Sequence, residues 1–171
     1  LNWSYPISEI QRIGFGLGYE YLELNLGDYV RSQIIEDFVS ANGNWFKSVN
    51  FNLNWVKSTL NRGIFATRGT SQRVGLDLSM PGSGLEYYKI TYKGSHLRGM
   101  GKQLSLRLRA DLGYGESYGD TTQMPFFKNF YSGGLGSVRG YKKYTLGPRN
   151  LPQGGFYSYS RPTGGNVQIV L

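Results

Sequence analysis

Lys102-Gln103-Leu104-Ser105-Leu106-Arg107-Leu108-Arg109-Ala110-Asp111-Leu112-Gly113-Tyr114-Gly115 alternates between apolar and polar side chains without a break. Successive side chains of a β-strand point to opposite sides, so Leu104, Leu106, Leu108, Ala110, Leu112 and Tyr114 share one face. The other face carries Gln103, Ser105, Arg107, Arg109, Asp111 and Gly113. A helix would mix the two sets around its circumference. The same period recurs where Ile13, Phe15, Leu17, Tyr19 and Tyr21 oppose Gly14, Gly16, Gly18 and Glu20. Val49, Phe51, Leu53 and Trp55 oppose Asn50, Asn52 and Asn54; Val74, Leu76, Leu78 and Met80 oppose Arg73, Gly75, Asp77 and Ser79. Shorter copies comprise Leu1, Trp3 and Tyr5, then Tyr88, Ile90 and Tyr92, then Val167, Ile169 and Leu171. The pattern predicts an all-β, antiparallel fold of about seven strands.

Several of these strands are long. Globular strands usually have ~5–6 residues, whereas a strand crossing a bilayer needs ~9–11. The polar faces, with Arg73, Asp77, Arg107, Arg109 and Asp111, offer too little apolar surface for a second sheet. A soluble curved sheet with one wet face is one solution. A transmembrane barrel, with its apolar face in lipid and its polar face on a wet lumen, is the other. Aromatics near strand ends (Trp3, Tyr5, Tyr19, Tyr21, Trp45, Phe46, Tyr114) fit interfacial girdles and favour the barrel.

Composition narrows the field further. The 171 residues carry 19 Lys and Arg against 11 Asp and Glu, a net charge of +8, and no cysteine. Without Cys there is no disulfide scaffold and no thiolate metal site. No apolar run approaches the ~18 residues of a membrane helix, so a helical membrane protein is excluded. The sole histidine, His96, lies beside a short turn and reads as a solvated residue; one His and no Cys build neither a His-based triad nor an ordinary zinc site. The glycines at 14, 16 and 18 alternate along a strand, so they form no phosphate-binding turn and read as room on the lumen face. The chain is expected to be no enzyme and to hold no cofactor or metal.

The connections alternate in kind. Pro6–Glu9, Ser58–Thr70 and Leu97–Gly101 lie on one side; 25–44, Pro81–Gly84 and 116–163 lie on the other. Barrels keep short turns in the periplasm and long loops outside, so 25–44 and 116–163 are expected to be extracellular. In the first of these, Val30, Ile34, Phe38 and Ala41 recur at helical spacing behind a candidate N-cap, Asp28. Bacterial single-chain barrels have at least eight strands, and both ends of the sequence fall inside alternating stretches. Residues 1–171 are therefore expected to be an interior segment of one larger transmembrane barrel domain.

The second long loop is unlike the first. From Thr121 to Leu171 there is no acidic residue but six basic ones: Lys128, Arg139, Lys142, Lys143, Arg149 and Arg161. Anionic headgroups would attract such a loop. Nucleic acid would too, but the strand pattern leaves no evident docking fold for it, and no nucleic-acid partner is expected. A third account folds the loop into the lumen, where the planar guanidinium of Arg139 grips wall carboxylates. Gly133, Gly134, Gly136 and Gly140 would then let the backbone turn tightly and approach the wall.

The run Phe130-Tyr131-Ser132-Gly133-Gly134-Leu135-Gly136-Ser137-Val138-Arg139-Gly140-Tyr141, followed by Leu146-Gly147-Pro148, resembles the sixth extracellular loop of the BamA family of outer-membrane barrel assembly factors. Its Val138, Arg139, Gly140 and Tyr141 match a core shared with two-partner secretion exporters. Two further motifs resemble the assembly factors in order and spacing: Arg62-Gly63-Ile64-Phe65-Ala66-Thr67-Arg68-Gly69 and Pro81-Gly82-Ser83-Gly84-Leu85-Glu86-Tyr87-Tyr88-Lys89. Met124-Pro125-Phe126-Phe127 also fits. Departures are Ile64 for an aromatic, Ala66 for proline and Tyr141 where Phe is common.

The resemblance implies the middle of a barrel of about sixteen strands, with POTRA domains and the first and last strands outside it. It implies a protein that folds and inserts outer-membrane proteins by lateral opening and strand templating. Its implied partners are unfolded outer-membrane protein precursors, assembly-machinery lipoproteins, periplasmic chaperones, lipid and lipopolysaccharide. Arg139 would brace the barrel through acidic wall residues, the main one on the strand after the loop. A two-partner secretion exporter or a diffusion porin is the alternative.

Overall fold

A computed structural model describes residues 1–25, 33–101, 104–150 and 161–171. Six long or medium strands, β1 (Asn2–Ser8), β2 (Gln11–Glu23), β3 (Trp45–Ser58), β4 (Gly69–Ser79), β5 (Tyr87–Met100) and β6 (Leu104–Ser117), are followed by β7 (Arg149–Asn150), β8 (Arg161–Pro162) and β9 (Val167–Val170). The helix α1 (Gln33–Asn42) lies between β2 and β3. One antiparallel sheet takes the order β1-β2-β3-β4-β5-β6-β9, and β7 and β8 pair separately. The sheet is open, with β1 and β9 at its edges.

Register makes the alternation of each strand into a property of the whole wall. Phe15 stands opposite Leu53, Leu53 opposite Leu76, and Leu76 opposite Ile90. Ile90 in turn faces Tyr114, and Tyr114 faces Val167. The apolar face is therefore continuous across the sheet, and it is exposed, as at Phe15, Leu17, Leu106, Leu108 and Ile169. A slip of one residue at any rung would turn that strand's apolar set onto the polar side. Leu104 to Tyr114 spans about 34 Å along the strand at ~3.4 Å per residue. Tilted by ~40°, it stands about 26 Å tall, matching the ~25 Å apolar band of outer-membrane barrels.

The buried core is small and sits beyond one end of the wall. Phe38 of α1 packs with Phe46, Leu85 and Tyr87, and Met124, Phe126 and Phe127 close around them. Phe38 meets the rings of Phe126 and Phe127 edge-on at 5.8 and 6.2 Å. This cluster unites the β2–β3, β4–β5 and β6–β9 connections, which all lie at the long-loop rim.

Several sequence expectations shift here. Phe46 is 2% exposed, because its place in the alternation puts it on the polar side under α1; it belongs to the core and not to an aromatic girdle. Leu97 to Met100 continue β5, pairing as far as Met100 with Leu104, so that the expected turn at Leu97–Gly101 contracts to the residues after Met100. Leu97 is buried, which extends the ladder where a turn was expected. The first turn tightens likewise to Glu9–Ile10, since Ser8 pairs with Gln11. The 116–163 loop begins only after Ser117, the end of β6. The helix occurs where Ile34, Phe38 and Ala41 place it; Asp28 and Val30 lie outside the described residues.

Candidate functional site

The polar face of the sheet is the floor of the site. Arg73 stands opposite Lys93, and Lys93 opposite Asp111. Four residues further along β4, on the same face, Asp77 stands opposite Lys89. Arg107, Arg109 and Asp111 follow at alternate positions of β6, so the five polar residues expected to face the lumen share one face. Arg109 grips the buried Asp111 two residues along, through Nε to Oδ1 at 3.2 Å and through Nη2 to Oδ2.

The long connection after β6 turns back over this floor. Phe130 bridges to Gly165 and Ser132 to Leu146, and the Gln168 amide donates to Ser132 Oγ at 2.9 Å. Phe130 lies directly on Gly113, where an added Cβ would stand 2.5 Å from ring carbon Cε1. Glycine is the residue that admits the ring. Lys89 Nζ sits 4.0 Å from the centre of the same ring and donates to the Lys128 carbonyl at 2.8 Å. Met124 covers Gly115 in the same manner. The loop is thus seated by aromatic and aliphatic bodies over glycines of β6.

An ion pair ties the loop to the far side of the wall. Lys128 Nζ donates to both carboxylate oxygens of Glu20, at 3.0 and 2.9 Å, and Asn50 Nδ2 donates to the same carboxylate at 2.8 Å. Burial alone pushes the Lys128 ammonium down, but the hydrogen bonds and charges of Glu20 and Tyr87 together outweigh it and raise its pKa above the ordinary lysine value. A second anchor is Glu86, nearly buried. Its carboxylate accepts the Gly82 N–H at 2.6 Å and the Asp120 N–H at 3.0 Å, while its own N–H donates to Thr121 Oγ1 at 2.8 Å. Tyr118 adds a hydroxyl bond to the Ser79 carbonyl. Glu86 therefore fastens the β4–β5 hairpin to the start of the loop.

The glycine-rich motif forms the outer turn of the loop. Gly133 donates to Ser137 Oγ at 2.8 Å and Gly134 to the Val138 carbonyl at 3.1 Å. Gly133 has φ 112°, Gly134 95° and Gly140 90°; a Cβ on Gly133 would meet the Lys142 carbonyl. Gly136 has no such left-handed φ, and open space surrounds its Cβ direction, so its backbone makes no demand for glycine. Val138 is half-buried, while Arg139 and Tyr141 are exposed. Arg139 forms no ion pair among the described residues. Burial raises the Tyr131 hydroxyl, which donates to the Phe126 carbonyl at 3.0 Å. A cavity of about 760 Å³ separates the motif from the floor, lined by Lys93, Arg109, Asp111, Tyr141 and Gln168 among others.

Sequence reasoning placed the motif and the floor but passed over Glu20, Lys128, Phe130 and Glu86 as site residues. A signal for Glu20 existed: it is the one acidic side chain on its face of β2, directly after Gly14, Gly16 and Gly18. Glu86 lies inside the Pro81–Lys89 motif, whose role the sequence left open. The pairing of Lys128 with Glu20, across 108 positions, left no local trace.

An exposed, continuous apolar face opposite a polar face that receives its own loop defines the wall of a transmembrane β-barrel. Residues 1–170 match the Omp85 superfamily domain, and the chain belongs to that family, as an integral β-barrel segment of the bacterial outer membrane. It is 34% identical over 182 aligned residues to the outer membrane protein assembly factor BamA of Neisseria meningitidis serogroup B, over 100% of this chain and 22% of the relative. The chain thus spans about a fifth of that protein's length. The crystal structure of BamA from Haemophilus ducreyi lacking POTRA domains 1-3 superposes with a TM-score of 0.84 over 98% of this chain and 34% of that one, at 24% identity.

Proposed function

We propose that this chain is the wall and the inward-folded loop of an assembly factor that folds and inserts outer-membrane proteins. The observation that carries the reading is the 34% identity to an assembly factor along the entire chain, which includes the Arg62–Gly69 and Pro81–Lys89 motifs as well as the loop. A shared loop core alone would suit an exporter equally. The role is non-enzymatic: substrate strands would pair at an opening seam, because edge pairing satisfies backbone groups before they enter lipid. The seam strands lie outside residues 1–171. In this reading 25–44 and the connection after β6 are extracellular, and unfolded barrel precursors, assembly lipoproteins, periplasmic chaperones, lipid and lipopolysaccharide are the partners.

Val138, Arg139, Gly140 and Tyr141 then serve as the loop's brace. Arg139, exposed on the outer turn and without an ion pair among the described residues, would meet a carboxylate on a neighbouring part of the barrel. The test is complementation of cells depleted of their own assembly factor by the full-length parent protein. Arg139→Ala should reduce folded, heat-modifiable outer-membrane protein about tenfold or more, the loss expected for a charge-assisted bond of about 1.5–3 kcal/mol. Arg139→Lys should retain part, since a point charge cannot reproduce the fork. Full complementation by Arg139→Ala would remove the brace; failure of the wild-type parent would remove the assembly role itself.

A further inference from the structure

At the short-turn rim the wall carries a feature that the assembly reading does not use. The β3–β4 connection is held rigidly: Asn61 Oδ1 accepts the Thr67 and Arg68 N–H groups at 3.1 and 3.3 Å, Asn61 Nδ2 donates to Thr67 Oγ1 at 3.1 Å, and the Asn61 N–H donates to the Arg68 carbonyl at 3.1 Å. Below it, Thr70 Oγ1 and His96 Nδ1 share a hydrogen bond of 3.0 Å. These bonds fix an open cleft of about 890 Å³ whose polar lining includes Asn61, Arg62, Thr67, Arg68, His96 and Arg98. Arg62, Arg68 and Arg98 are exposed, and none meets a carboxylate among the described residues.

The cleft lies at the very edge of the wall: His96, Arg98 and Leu104 line it from the lipid-facing side, and Leu97, Gly99 and Ser105 from the other. Register sets His96 opposite Leu108, Arg98 opposite Leu106 and Met100 opposite Leu104, and Leu104 itself lines the cleft. Three guanidinium groups therefore border a column of exposed leucines at the edge of the apolar band. Guanidinium favours phosphate, whose oxygens match its fork, and leucines along a strand suit an acyl chain. Lys57, on the same face beside Trp55, adds a further cation at this rim. A soluble acidic protein would match the charge but not the adjoining leucine column.

We propose that this cleft is a binding site for an anionic glycerophospholipid, with its phosphate between Arg62, Arg68 and Arg98 and an acyl chain along Leu104, Leu106 and Leu108. The lipid would come from the periplasmic leaflet, a placement that rests on the reading of the short turns as periplasmic. It would hold the lower rim of the wall at a fixed depth.

The test is native mass spectrometry of the full-length parent protein in detergent, titrated with phosphatidylglycerol or with phosphatidylcholine. The wild type should retain phosphatidylglycerol in preference. The double variant Arg68→Gln, Arg98→Gln should bind it about 30-fold more weakly, at ~1 kcal/mol per basic residue and 1.36 kcal/mol per tenfold. Lys47→Gln, at the opposite rim, should bind as the wild type does, and heat-modifiability verifies that each variant is folded. Unchanged binding by the double variant, or equal retention of the two lipids, overturns the site. Displacement by millimolar inorganic phosphate would show a bare anion site, and Arg-dependent capture of polyglutamate without phosphatidylglycerol would show a protein site; either overturns the proposal. Preference for lipid A overturns the periplasmic placement. Counting adducts needs no assembly activity, so the proposal and the assembly role fail separately.

Discussion

The seat of the loop on the wall makes Gly113→Ala the sharpest perturbation. By strand propensity alone it should help, since glycine inside a strand costs roughly 0.5–1 kcal/mol relative to alanine. The added methyl, however, would stand 2.5 and 2.6 Å from Cε1 and Cζ of Phe130, whereas carbon atoms settle at about 3.5–4.0 Å. The ring must retreat by about 1 Å. It is nearly buried and stacked beneath Lys89 Nζ at 4.0 Å, so retreat weakens both the packing and the cation–π contact. Overpacking of this kind costs ~1–3 kcal/mol, and loss of the cation–π contact about 0.5–1 kcal/mol more. Set against the propensity gain, the seat should weaken by about 1–3 kcal/mol. Limited proteolysis with chymotrypsin reads this directly, because Phe130 is buried in the seat and cleavage after it follows the population of the lifted loop when opening is fast. Cleavage should accelerate roughly 5- to 150-fold at 1.36 kcal/mol per tenfold. Phe130→Leu makes room for the methyl, so its own cost should shrink in the Gly113→Ala background, with a coupling of at least ~0.5 kcal/mol. Wild-type protection in Gly113→Ala, or strict additivity of the pair, would refute the seat as described.

Three further perturbations probe the other contacts. Glu86→Gln keeps the shape but loses one charge-assisted acceptor of backbone N–H, so the heat-modifiability midpoint should fall by the equivalent of ~1.5–3 kcal/mol; an unchanged midpoint would show that the clamp is idle. Lys128→Met should weaken the loop by about 1 kcal/mol after discounting for partial exposure, and adding Glu20→Gln should cost little more. Because the Lys128 pKa is raised on folding, its stabilisation is complete below the ordinary lysine value and is lost only as pH rises through the folded one. Loop protection should be flat from pH 7 to about 10 and decline above, a decline that Lys128→Met abolishes. Leu108→Arg, on the apolar face near mid-strand, should cost ~2–4 kcal/mol of folding into bilayers while Arg107→Leu costs far less; the reverse order would exchange lipid and lumen faces.

The wall was legible in the sequence because a period of two is a local signal that repeats. Leu104 to Tyr114 alone fixes the faces of β6, and the comparable runs at Ile13 and Val49 fix those of β2 and β3. The ends of strands were less legible, since they depend on what the last rungs meet: Leu97 extends β5 because it is buried, and Phe46 leaves the girdle because α1 covers it. The loop was legible only through its glycines and its likeness to a family. Its actual holds, Phe130 on Gly113 and Lys128 on Glu20, join residues far apart in the chain, and nothing near Lys128 distinguishes it from Lys142 or Lys143.

That division between wall and loop follows from where each buries its apolar surface. The wall leaves Phe15, Leu17, Tyr19, Leu106 and Leu108 of its apolar face exposed, so the bilayer and not the interior takes them up, and its alternation tolerates exchange among apolar residues. In the cap around Phe38 and the seat under Phe130 the chain packs against itself, and there shape matters to a fraction of an ångström. Substitutions in the wall should therefore change insertion into lipid, whereas substitutions in the seat should change the position of the loop with the barrel intact. The proposed assembly role would draw on this independence, because a wall that deforms keeps its loop in place only if the loop is held by contacts of its own.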